Sequence, residues 1–121
     1  MGKKTLSIYQ DGVSIITGGA SGIGLAFGKA LASRGCHVIL ADLQKELAEK
    51  EAELINSSGG KATAVSLDVR DSKAFKKLIE ETKEAHGRID TLFNNAGVAV
   101  GWEVKDDLLE DWNYIIDVNI R

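Results

Sequence analysis

The period at which apolar residues recur switches repeatedly along this chain, and that switching limits the fold more than any other feature. "GVSIIT" (12–17) is a short apolar run of strand character. From Ile23 to Arg34, "IGLAFGKALASR" puts Ile23, Phe27, Ala30 and Leu31 on one helical face, and Gly35 closes that helix. "HVILAD" (37–42) predicts a second buried strand. The next segment, "LQKELAEKEAELINSS", spaces Leu43, Leu47 and Leu54 as a helix does and ends in glycine. "KATAVSLDV" (61–69) predicts a third strand, Asp71-Ser72 opens a third helix through "KAFKKLIEETKEAHG", and "IDTLFNN" (89–95) predicts a fourth strand. A loop through "AGVAVGWEV" then leads to a last helix from about Asp107. Every crossover is long enough for a helix, so the strands are expected to run parallel. The expected fold is α/β: a doubly wound parallel sheet of about four strands with helices on both faces.

Composition removes several function classes. The chain has 121 residues, enough for one domain with a real core, and is 44% apolar and 27% charged, a soluble globular profile. A net charge of −3 speaks against nucleic acid as a partner, because phosphate neutralisation needs clustered Lys and Arg. Cys36 is the single cysteine, so neither an internal disulfide nor a cysteine-based metal site is possible, and it is expected to be a small packed residue. His37 and His86 stand far apart without ligand spacing, and no metal site is expected. No apolar run approaches the ~18 residues of a membrane span. The N-terminus has a basic start but no apolar signal region, so a cytoplasmic location is expected.

Four glycines, Gly18, Gly19, Gly22 and Gly24, crowd the turn between the first strand and the first helix. Glycine is costly in regular structure, so the cluster implies a turn that needs it or a ligand that must approach the backbone. At this place in a strand–helix–strand unit, amide N–H groups and the helix N-terminus can hold a dinucleotide pyrophosphate. Asp42 ends the second strand eighteen positions after Gly24, where a carboxylate can accept from the adenosine ribose hydroxyls. It would repel a 2′-phosphate, and no arginine stands in the loop or beside Asp42, so the expected cofactor is NAD rather than NADP. Asp42 can alternatively cap the helix that follows.

Together these stretches resemble the short-chain dehydrogenase/reductase family, whose fold is of the Rossmann type. "TGGASGIG" (17–24) is similar to its TGxxxGxG cofactor loop, "LDV" (67–69) to its adenine-contacting motif, "NNAG" (94–97) to the motif of that name, and "DVNI" (117–120) to the segment carrying its helix-four asparagine. They occur in the family's order and spacing across almost the whole chain. The resemblance implies that Gly18, Ser21, Gly22, Ile23 and Gly24 form the phosphate loop and that Asp42 selects the ribose. It implies that Asp68 bonds the adenine amino group, that Val69 touches the ring, and that Asn95, Ala96 and Gly97 run beneath the riboses. Asn119 would be the catalytic residue present, holding a helix kink and a water of the proton relay. Simpler roles stay open: Asp68 as a helix cap, "NNAG" as a plain turn, Asn119 as an exposed polar residue, Trp102 and Trp112 as packing residues.

The family's chemistry also needs a serine and a tyrosine followed four positions later by lysine. Position 13 after Tyr9 and position 118 after Tyr114 are both valine. The chain reaches Arg121 before the region where the family places those residues, which predicts a single dinucleotide-binding domain over 1–121, the amino-terminal half of a longer enzyme. The implied activity is NAD-dependent hydride transfer between nicotinamide and a small-molecule alcohol or ketone. The alternatives are an inactive NAD-binding module or a self-associating scaffold. The family's sheet would place a further strand beside residues 89–95, so an open edge and a homo-oligomer are expected.

Overall fold

The computed structural model describes residues 11–95 of the chain. Four strands and three helices alternate: β1 (Val13–Thr17), α1 (Gly22–Ser33), β2 (His37–Asp42), α2 (Lys45–Ser57), β3 (Lys61–Ser66), α3 (Ser72–His86) and β4 (Thr91–Asn94). The strands form one parallel sheet in the order β3-β2-β1-β4. The fold is therefore the expected Rossmann-type α/β unit.

Alternation along each strand builds a core on each face of the sheet. Val13, Ile15, Ile39, Ala41 and Leu92 face one side, where Phe75, Leu78 and Ile79 of α3 cover them. Ile16, Val38, Leu40 and Ala62 face the other, under Leu31 and Ala32 of α1 and Ala48, Ala52 and Ile55 of α2. Both faces of β1 are sealed, so Val13, Ile15 and Ile16 are all buried, and the buried polar residues Ser14 and Thr17 bond to Thr91 and Asn94 of β4. Cys36 packs at 1% exposure beside Ser14, as its sequence context suggests.

The helix faces differ from the leucine and isoleucine spacing. α1 turns Gly24, Gly28, Leu31 and Ala32 inward, while Ile23 is 72% exposed. The cause is distance: a Cβ on Gly28 would stand 3.0 Å from Ile16 Cδ1 and 3.1 Å from Leu40 Cδ2, so a larger residue would have to push those side chains aside. In α2 the buried residues are Ala48, Ala52 and Ile55, whereas Leu54 and Leu43 are exposed. β3 ends at Ser66, three residues short of the expected end at Val69, and Leu67-Asp68-Val69 form the connection to α3. Asp71 caps α3 by accepting the Ala74 amide at 3.1 Å, so Asp68 is not the cap.

The two histidines are not far apart. α3 runs back to the end of the sheet where β2 begins, and the His37 and His86 rings meet with centroids 4.5 Å apart. Thr63 Oγ1 lies 2.8 Å from His37 Nε2. Burial pushes the His37 imidazole below its ordinary 6.5, with His86 and Lys61 adding to the shift. Among the described residues no cluster of three or more His, Cys, Asp or Glu could hold a metal, and no helix is long and apolar enough to cross a membrane.

Candidate functional site

From β1 the chain winds outward through β2 to β3, then crosses back to β4 on the other side of β1. The carboxyl ends of β1 and β4 therefore flank a topological switch point, the place where sheets of this kind bind ligands. Gly18–Ser21 leave β1 there, and Asn95 leaves β4.

The loop is tied down at its start. Ala41 at the end of β2 accepts the Gly18 amide at 2.8 Å and the Gly19 amide at 3.4 Å. The Asp42 carboxylate accepts the Ala20 amide through Oδ2 at 3.0 Å and the Gln44 amide through Oδ1 at 2.9 Å. Asp42 is half-buried and is not the cap of α2, a position held by Gln44. The amides of residues 18–20 thus shape the loop, and those of Gly22, Ile23 and Gly24 open α1, where helical geometry offers no acceptor.

Two glycines act for different reasons. Gly22 has φ +58° with open space around it, so the backbone conformation, not crowding, is what favours glycine there. Gly24 packs against the loop itself: a Cβ there would stand 2.3 Å from the Gly18 carbonyl oxygen and 2.9 Å from Asn95 Nδ2. Ser21 holds the N-cap position in extended backbone without spending its hydroxyl on a cap bond, and the first turn of α1 carries no acidic residue. The N-terminus of α1 thus offers its dipole and three amides beside a serine hydroxyl that makes no cap bond, a donor set suited to an anion.

From the other side, Thr17 Oγ1 donates to Asn94 Oδ1 at 2.9 Å, and Asn95 Nδ2 reaches the Gly18 carbonyl at 3.4 Å. Asp68, beyond β3, is gripped by Arg70: Nε meets Oδ1 at 3.0 Å and Nη2 meets Oδ2 at 2.9 Å, while the Arg70 amide also donates to Oδ1. Those contacts hold the carboxyl down at about 2, with the guanidinium bonds foremost.

The site residues foreseen from sequence that fall here are gathered at the carboxyl edge of the sheet: Gly18, Ser21, Gly22, Ile23 and Gly24 in one turn, Asp42 behind it, Asp68 and Val69 after β3, and Asn95 across from the loop. Ala96, Gly97 and Asn119 lie outside the described residues, as do Tyr9, Trp102, Trp112, Tyr114 and the last helix. Sequence reasoning missed Arg70, whose signal was a charge two positions from Asp68, and the Thr17–Asn94 bond, which carries no short-range signal.

A parallel α/β unit with a glycine turn at its switch point has the architecture of the Rossmann-type folds. A profile of the family described as short chain dehydrogenase matches residues 12–121, and the chain belongs to that family. It is 39% identical over 112 residues to a meso-2,3-butanediol dehydrogenase of Serratia marcescens, covering 93% of this chain and 44% of that protein. It spans less than half the length of that relative. A short-chain dehydrogenase/reductase from Burkholderia phymatum in complex with NAD superposes with a TM-score of 0.67 at 29% identity, covering 70% of this chain and 30% of that one. A metagenomic short-chain oxidoreductase in complex with NADP superposes at 0.72 and 35% identity, covering 76% and 42%.

Proposed function

We propose that this chain is the cofactor-binding part of an NAD-dependent oxidoreductase acting on an alcohol or ketone. The observation that carries it is the position of Asp42, a carboxylate fixed directly behind the glycine turn. The pyrophosphate would be held by the amides of Gly22, Ile23 and Gly24 and by the Ser21 hydroxyl. Asp42 retains lone pairs beyond its two amide bonds, and these can accept from the 2′- and 3′-hydroxyls of the adenosine ribose. A 2′-phosphate would meet the same carboxylate as a like charge, which favours NAD over NADP. Among the described residues Asp68 Oδ2 accepts from the Arg70 guanidinium, which leaves a lone pair for the adenine amino group.

A nicotinamide held here would supply hydride-transfer chemistry between an alcohol and a ketone. The chain's own residues bind and orient. Asn95, with Ala96 and Gly97, would support the riboses, and Asn119 would contribute to proton movement once a tyrosine–lysine pair is supplied. The 121 residues contain no Tyr-x-x-x-Lys, so the reading assigns this chain by itself binding without turnover. One dinucleotide-binding domain over 1–121 is part of the same reading. So is self-association, since β4 is the outer strand of the described sheet and an edge can pair with another chain.

Ligand-observed NMR tests the reading. Saturating the protein should transfer to the adenine and ribose protons of NAD and vanish when excess ADP competes. No transfer to NAD from a folded sample would contradict it.

A further inference from the structure

We propose that Asp42 is a strut for the phosphate loop as well as the reader of the ribose, so that cofactor choice and loop shape are coupled through one side chain. The inference rests on the NAD reading for its ligand and on the hydrogen bonds of Asp42 for its mechanism.

Four amides, those of Gly18, Gly19, Ala20 and Ser21, lie between β1 and α1. Two of them, Gly18 and Gly19, are taken by the Ala41 carbonyl, a backbone group that no side-chain substitution removes. A third, that of Ala20, is held by Asp42 Oδ2 at 3.0 Å, its acceptor among the described residues. Ala20 is itself 1% exposed, so without Asp42 its amide has no water to turn to. Ala20 immediately precedes Ser21, the N-cap whose extended backbone aims the first turn of α1. The second oxygen, Oδ1, is fixed by the Gln44 amide at 2.9 Å, which locks the carboxylate's rotamer to the start of the β2–α2 connection. The carboxylate therefore bridges the ends of two adjacent strands, and the phosphate-binding turn leans on it.

Removing a negative charge near a bound anion should by itself tighten anion binding. Removing a strut should loosen it. The two effects have opposite signs, and a probe that carries phosphate but no ribose separates them. Asp42→Ala deletes charge and acceptor together. Asp42→Asn deletes the charge but keeps an oxygen that can accept the Ala20 amide.

The experiment is titration of the 121-residue chain and both variants with inorganic pyrophosphate, NAD and NADP, alongside amide hydrogen exchange at Ala20. Asp42→Ala should bind pyrophosphate about tenfold more weakly than the unchanged chain, the loss expected for a charge-assisted bond outweighing the relieved repulsion. Its Ala20 amide should exchange faster, while the amides of β3 keep their protection. Asp42→Asn, with its oxygen on Ala20 and its NH2 facing the Gln44 amide, should recover much of the pyrophosphate affinity and Ala20 protection lost in Asp42→Ala while narrowing the preference for NAD over NADP. Pyrophosphate binding by Asp42→Ala that equals or exceeds that of the unchanged chain would overturn the strut, as would unchanged exchange at Ala20. Failure of the NAD reading looks different: the unchanged chain would show no preference between NAD and NADP, while Ala20 exchange would still answer to Asp42.

Discussion

Gly24 lies so close to Gly18 that a Cβ built on it would stand 2.3 Å from the Gly18 carbonyl oxygen. The first turn of α1 is thereby pressed onto the loop that precedes it, and the contact is backbone to backbone, which cannot yield by rotating a side chain. Gly24→Ala should destabilise the fold by about 1–3 kcal/mol, the usual range for overpacking. It should also weaken NAD binding at least tenfold, roughly the factor expected when a donor set of amides is displaced. Gly22→Ala makes the useful comparison, because that position has open space and only its φ of +58° opposes a side chain. Its cost should stay near 1 kcal/mol, about the penalty of one left-handed residue. Urea denaturation and NAD titration of the two variants check the ranking.

Burial of His37, reinforced by the neighbouring His86, makes the fold sensitive to acid. The folded His37 imidazole is held below its ordinary 6.5, mainly by burial and then by His86 and Lys61, so the folded state resists the proton that the unfolded chain accepts. Stability from this source is therefore complete above that ordinary value and is lost as the pH falls through it toward the lower folded value. Thermal midpoints should drop by a few degrees between about pH 7.5 and 5.5, and His86→Ala should flatten the profile. A midpoint that rises on acidification across that window would show the sign to be wrong.

Asp90 starts the pairing of β4 with β1. Its Oδ2 accepts the Val13 amide at 2.8 Å, and Arg88 clasps both oxygens at 2.7 and 2.8 Å. Asp90→Ala strands a backbone donor at the edge of the core and should cost about 2 kcal/mol in urea denaturation. Arg88→Ala leaves the Val13 bond in place and should cost less. Equal losses would mean that the ion pair, not the amide bond, is the important contact.

Arg70 governs the titration of Asp68. Its two guanidinium bonds and its amide hold the Asp68 carboxyl at about 2, against an ordinary 3.8. A carboxylate with a lowered folded value keeps its charge, and whatever that charge contributes, until the pH falls through about 2. Arg70→Ala should return the Asp68 midpoint toward 3.8, read from the side-chain carboxyl resonance in NMR. A midpoint unmoved by the substitution would show that the backbone alone sets it.

The alternation of periods made the fold legible in the sequence, because strands sealed on both faces carry runs of consecutive apolar residues, Ile15-Ile16 in "VSIIT" and Val38–Ala41 in "HVILAD". The helix faces were not legible in the same way. Large residues usually mark the buried stripe, yet α1 buries Gly24 and Gly28 and leaves Ile23 outside, since closeness to the sheet at Ile16 and Leu40 requires small residues. The site followed a similar division. Glycine spacing and the place of Asp42 at the end of β2 pointed to the phosphate turn, but the bonds from Asp42 to Ala20 and from Thr17 to Asn94 join distant positions that only the sheet register brings together. The meeting of His37 with His86 was hidden for that reason too: it depends on α3 returning to the start of β2.

Isothermal titration calorimetry of the 121-residue chain with NAD, and then with NADP, tests the central claim most directly. The account predicts saturable binding of NAD and at least about tenfold weaker binding of NADP, from repulsion between Asp42 and the 2′-phosphate. Equal or tighter binding of NADP would contradict the role given to Asp42, and no binding of either by a folded sample would contradict the dinucleotide site itself.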